Sequence, residues 1–170
     1  MVIAAVCLAL CYVLPFLTGQ IQGIGKMLCP MHLPVFICGF ACGRWWGLAV
    51  GLVAPLLRSV TLGMPPMFPD AVSMAAELAT YGFMAAVIYD ALPKKLPYIY
   101  VSLVSAMLCG RTVWGAMRYI ISGISKTEFT FQMFLAGAFT RAVPGIIVQL
   151  LLVPATVEVL RRTGNICREG

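Results

Sequence analysis

The sequence predicts an all-α polytopic membrane protein: six transmembrane helices in a single domain over residues 1–170. Three observations lead there. Hydrophobic residues make up 61% of the chain and charged residues 11%, whereas an ordinary soluble domain carries about 25% charge. Mean hydropathy is +0.95. The apolar residues fall in several long runs, not in the short alternating segments of barrel strands. The net charge of +6 is then explained by one basic membrane face and by arginines inside the spans, not by nucleic-acid binding.

The first helix is expected over about 2–17. No basic segment precedes it, so it is read as a retained helix and not a cleaved signal. Ala5 and Ala9 form a small-xxx-small pair that lets another helix approach closely. Residues 18–32 form a loop of Gly, Gln and Pro, longer than a tight connection needs and so a candidate lid. Helix 2 is expected over about 33–43, with Pro34 suited to its first turn. Arg44, Trp45 and Trp46 mark a membrane interface. Helix 3 follows over about 47–62. Gly39, Gly43, Gly47 and Gly51 recur every four residues across this turn. They predict either a tight hairpin of helices 2 and 3 or a groove for a partner's helix, with Gly47 and Gly51 as docking positions.

A rigid turn, 63–69, leads to helix 4 over about 70–92, which carries Glu77 with Met74, Tyr81 and Met84 on one face. A basic, Pro-bounded turn at 93–97 precedes helix 5, about 97–123. Helix 6 is expected over about 131–160, with Arg141 mid-membrane and kinks at Pro144 and Pro154. Arg44, Lys94, Lys95, Arg161, Arg162 and Arg168 fall at one face, Lys26 and Lys126 at the other. That bias predicts both termini in the cytoplasm.

Helix 5 organises the chemistry. Arg111 and Arg118 lie seven residues apart, two turns, on one face with Trp114 between them. A guanidinium in lipid costs at least ~2.5–3.5 kcal/mol on insertion scales, so both must look inward. The ionisable residues within the spans are Arg58, Glu77, Arg111, Arg118 and Arg141. Counting Glu77 as the one carboxylate leaves a positive surplus that needs water, carbonyls or an anionic ligand, because Arg stays protonated. Glu77 is expected to pair with Arg58 or Arg118 if it is only a structural bridge. His32 sits where the first loop meets helix 2, without the Ser or Asp partner of a catalytic motif. No P-loop, HExxH or GxSxG is present. No catalytic residue, cofactor or metal site is therefore assigned, and energy for transport must come from an ion gradient or another subunit. The seven cysteines lie mostly in apolar runs and read as free thiols.

The segment LPFLTGQIQGIGKMLCPMHLPVFICGFACG, the turn LLRSVTLGMPPMFP, the helix AELATYG and the run CGRTVWG together resemble an S component of an energy-coupling factor (ECF) transporter. The resemblance spans nearly the whole chain. It implies a six-helix subunit of a prokaryotic cytoplasmic membrane, with an outward-facing pocket for a vitamin or related micronutrient and a first loop closing over it. It also implies partners: a transmembrane coupling subunit, approached through small residues such as Ala5 and Ala9, and two ATPases. By position it points to Met31, His32, Glu77, Tyr81, Trp114, Arg118, Arg58 and Arg141 as ligand contacts, with Arg111 joining them as a buried arginine of helix 5. Surplus arginine favours an acid such as pantothenate or a folate-like compound. Neutral vitamins such as riboflavin or pyridoxine, and queuosine precursors, stay open because Glu77 could neutralise or select. Two other readings compete: a membrane enzyme on a lipid-linked substrate, using His32 and Glu77 as acid and base, and an ion-coupled solute transporter.

Overall fold

A computed structural model describes residues 1–19, 30–125, 130, 132, 136 and 142–164. Arg141 lies outside the described residues. So do Lys26 and Cys29 of the first loop, Lys126 and Glu128 of the last, and Cys167 and Arg168 of the tail.

Among the described residues the chain forms α1 (Val2–Gly19), α2 (His32–Cys42), α3 (Arg44–Leu62), a π-helical turn (Met67–Ala71), α4 (Val72–Ala91), α5 (Leu96–Ser125) and α6 (Val143–Arg162). No strand occurs among them. Four stretches are long and apolar enough to cross a bilayer: Arg44–Leu62, Met67–Ala91, Leu96–Ile124 and Val143–Arg162. The apolar part of α1, Val2–Phe16, and α2 are shorter. The expected six spans thus stand at four of full length, with two short helices packed among them.

The boundaries follow local chemistry. Gly43 separates α2 from α3 at φ 92°, a left-handed conformation that glycine adopts without a Cβ clash. Arg44, Trp45 and Trp46 consequently form the exposed first turn of α3, earlier than expected. Gly63 ends α3 at φ 67° with its N–H bonded to the Ser59 carbonyl, the αL type of C-cap. Phe68 is extended, as suits a residue before proline, and α4 begins after it. Pro144 occupies the first turn of α6 and does not kink it; its missing N–H is harmless there.

α4 is the central helix, packed against α2, α3 and α5. Its buried residues cover about two thirds of the circumference and are mostly small: Ser73, Ala75, Ala79, Gly82, Ala85 and Ala86 beside Glu77, Leu78, Tyr81 and Tyr89, while Ala76, Thr80, Phe83 and Val87 are half-buried. Such a helix belongs inside a bundle. The closest crossing is with α3. A Cβ on Gly47 would stand 2.6 Å from the Gly82 carbonyl oxygen, and one on Gly51 would collide with the Leu78 backbone. This corrects the docking expectation for Gly47 and Gly51. They face α4 of the same chain because backbone-to-backbone packing leaves no room for a side chain or a partner's helix. Ala5 and Ala9, by contrast, are exposed on the outer side of α1.

α1 packs on α2 and α3, and α6 on α2 and α5. Cys7, Cys11, Cys38 and Cys42 are buried free thiols between α1 and α2. At one end of the bundle the charges are basic and mutually braced. Lys94 meets Asp90 at 3.1 Å, Glu158 meets Arg161 and Arg162 at 2.9 Å each, and the Arg161 guanidinium donates to the Lys94 carbonyl.

Substituting Gly47→Leu should force α3 from α4 and lower the unfolding temperature of the detergent-solubilised protein, because overpacking costs about 1–3 kcal/mol or more. Gly123→Ala, with nothing within 4 Å of its Cβ, should leave it unchanged or slightly raised.

Candidate functional site

Three helices bring four of the expected residues together in the interior. α2 contributes its first residue, His32; α4 contributes Glu77 and Tyr81, one turn apart; α5 contributes Arg111. His32, Glu77 and Tyr81 are each at most 2% exposed and Arg111 is 9% exposed. The Tyr81 hydroxyl donates to Glu77 Oε1 at 2.7 Å. Arg111 Nη1 reaches the same oxygen at 2.9 Å. His32 Nε2 stands 3.8 Å from it, beyond hydrogen-bonding distance. The imidazole packs on the Tyr81 ring at 5.3 Å between centroids, and Phe36 closes on that ring at 4.9 Å. Gly110 makes the geometry possible. A Cβ there would strike the Tyr81 ring, so its absence lets Tyr81 lie against α5 and reach back to Glu77.

A second pair repeats the pattern two turns outward. Arg118 bonds Asp70, at the start of the α4 segment. Asp70 and Glu77 are seven residues apart, as are Arg111 and Arg118. Because α4 and α5 run antiparallel, one register satisfies both pairs. The expectation that Glu77 pairs with Arg58 or Arg118 is therefore replaced: its partner is Arg111. The count of a single carboxylate is corrected too, since Asp70 supplies the second. This outer pair is partly open, with side chains 27% and 37% exposed. The Arg118 guanidinium also lies 5.7 Å from the centre of the half-buried Trp114 ring.

Arg58 stands apart from both pairs. Its guanidinium donates to the Tyr12 carbonyl at 3.2 Å and the Met64 carbonyl at 3.2 Å, and lies 5.2 Å from the Phe16 ring. The α3–α4 register, Gly47 on Gly82 and Gly51 on Leu78, continues to place Arg58 level with Ala71, about 9 Å of helix beyond Glu77. It braces α1, α3 and the following turn. Met31 is buried, and its carbonyl accepts from the Cys11 thiol at 3.5 Å, which ties the entry to α2 onto α1.

Two residues escaped the sequence reading. In the sequence Asp70 reads only as a helix start, although its seven-residue spacing from Glu77 mirrors that of the arginines. Gln149 is 2% exposed on α6, a lone amide in the apolar run Ile146–Val153. Its signal was that isolation.

The Glu77–Arg111 pair is a buried charge couple. Removing one partner leaves the other unpaired, a loss of about 3–5 kcal/mol. Glu77→Gln and Arg111→Leu should each lower the unfolding temperature in detergent strongly. The joint Glu77→Gln/Arg111→Gln protein should melt above either single variant.

The arrangement suits binding better than covalent chemistry. No nucleophile adjoins His32 among the contacts described, and Glu77 is engaged by Arg111 and Tyr81. The chain matches, over residues 1–157, the family model described as ECF transporter, substrate-specific component. Neither the curated proteins nor the solved structures compared with it give a match. Proteins of that family are components of transporters, not enzymes. With all but thirteen of its 170 residues covered, and apolar helices long enough to cross a bilayer, the chain belongs to the family of substrate-specific components of ECF transporters.

Proposed function

We propose that this chain is the solute-binding subunit of an ATP-driven ECF importer. It takes up a small water-soluble micronutrient from outside and delivers it inward with a transmembrane coupling subunit and two ATPases. The observation that carries this reading is the buried polar layer of His32, Glu77, Tyr81 and Arg111 in the middle of an apolar bundle. Polar side chains are expensive there and mark a pathway or a site. Aromatic walls with a few fixed polar groups are the usual make-up of a small-molecule pocket.

The outer pair, Arg118 with Asp70, and the Trp114 ring beside it lie between this layer and the end of the bundle opposite the basic one. In this reading that end faces outward and both termini are cytoplasmic. The charge argument for an acidic solute such as pantothenate or a folate-like compound gains nothing from the arginines among the described residues of the site. Arg111 and Arg118 each have a carboxylate and Arg58 has two carbonyls. Arg58 and Met31 serve in this reading as braces of the site's frame and not as contacts.

Protein purified in detergent without its partners should carry a bound micronutrient, identified by mass spectrometry after heat release. His32→Ala should reduce the amount retained per folded chain, whereas Arg58→Gln should lower the melting temperature and leave that amount unchanged. The reverse pattern, or repeated preparations without any bound compound, overturns the reading.

Docking of the coupling subunit is assigned to the exposed small-residue stripe of α1. Ala5→Leu with Ala9→Leu should abolish co-purification of the coupling subunit while the bound solute is kept. Loss of the solute with an intact complex would contradict that assignment.

A further inference from the structure

Two buried polar side chains, His32 of the Glu77 layer and Gln149 of α6, lack hydrogen-bond partners among the described residues. Neither ring nitrogen of His32 makes a hydrogen bond, although Nε2 stands 3.8 Å from Glu77 Oε1, and the side-chain nitrogen of Gln149 makes none either. Leaving such groups unsatisfied is costly, all the more so where no water replaces the bond. Gln149 belongs to the stripe Gly145, Gln149, Val153 and Val157, the buried face of α6, and α6 packs on α2, which carries His32, and on α5, which carries Arg111. Its depth fits as well. The bond from Arg161 to the Lys94 carbonyl sets α6 level with the start of α5. Gln149 lies twelve residues, about 18 Å, along α6 from that bond, and Arg111 fifteen residues, about 22 Å, along α5 from Leu96. In depth along the bundle the two differ by less than one helical turn.

We propose that His32 and Gln149 are two walls of one hydrogen-bonding subsite. The solute bound there presents an uncharged edge bearing both a donor and carbonyl-type acceptors, as an amide or lactam does. The inference rests on the solute-binding reading above and narrows its substrate class. The Gln149 amide nitrogen can only donate, while an imidazole offers a donor and, when neutral, an acceptor. A carboxylate can accept but not donate, so it leaves the imidazole's lone pair unmet. It would also meet Glu77, whose charge already balances Arg111. An edge that donates and accepts satisfies both walls without adding charge to the layer.

The test is Gln149→Leu, of similar size, made in the full chain. The probe is whatever compound the wild-type protein carries out of cells grown in rich medium, quantified by mass spectrometry after heat release. One hydrogen bond is worth about tenfold in affinity. Gln149→Leu should therefore retain about tenfold less of that compound per folded chain after equal washing. Its unfolding temperature once emptied should equal or exceed that of the emptied wild type, since an unpaired buried donor has been removed. Gln149→Glu, which keeps the shape but replaces the donor by an acceptor, should lose the compound as well. Undiminished retention in both variants overturns the subsite while leaving the binding function standing. So does a released compound whose only polar groups are carboxylates or phosphates. A wild-type protein that carries no compound at all overturns the function, and the subsite with it.

Discussion

The fold depends on a register match between two helices. α5 carries two arginines seven residues apart, and the α4 segment carries two carboxylates at the same separation. With the helices antiparallel, Arg111 meets Glu77 and Arg118 meets Asp70 in one alignment. A slip of one residue rotates each side chain by about 100° around its helix and breaks both contacts. In an apolar bundle that is a steep constraint, because neither arginine can discharge itself. The inner pair is the stricter of the two. It is shielded on all sides, while the outer pair is partly open and gains less from its partner.

Charge pairing fixes alignment but does not bring helices close; the glycines do that. Helix association in lipid has no hydrophobic drive and relies on tight packing. Gly47 and Gly51 of α3 bring their helix onto the backbone of α4 at Gly82 and Leu78, and Gly110 of α5 makes room for Tyr81 on the other side. α4 is thus clamped between its neighbours, and the clamp positions Glu77. Tyr81 serves both purposes, since its ring fills the space that Gly110 leaves and its hydroxyl holds the carboxylate. The side chains of the Glu77 layer share contacts with the packing that holds the bundle together.

Much of this was legible in the chain. Long apolar runs gave the helices, and an arginine stripe on helix 5 marked the interior face. His32, Glu77, Tyr81 and Arg111, chosen by type and position, meet in space. What could not be read was which residue lies opposite which. Arg58 and Glu77 look like partners in a list of charges. The α3–α4 crossing, set by glycines whose opposing backbone cannot be inferred from one helix, puts them about two turns apart. Gly47 and Gly51 illustrate the same limit. A small-residue stripe says that something comes close but not whether it is the next helix or another protein. Asp70 was hidden by its place beside prolines, where a turn accounts for an acidic residue on its own.

The pairing also bears on selectivity. A bundle with unmatched buried arginines would attract any anion of suitable size. Internal carboxylates remove that general attraction and leave a layer with little net charge among the described residues. For the solute binding proposed above, discrimination then falls to hydrogen-bond geometry and shape, the more selective mechanism. A site built to bond a specific donor or acceptor rejects an analogue lacking it far more strongly than an apolar or purely electrostatic site does. Pre-paired charge costs nothing further when the solute enters, because neither partner must be desolvated anew. In the subsite proposed above, the groups without hydrogen bonds, His32 and Gln149, are the ones that gain when it does.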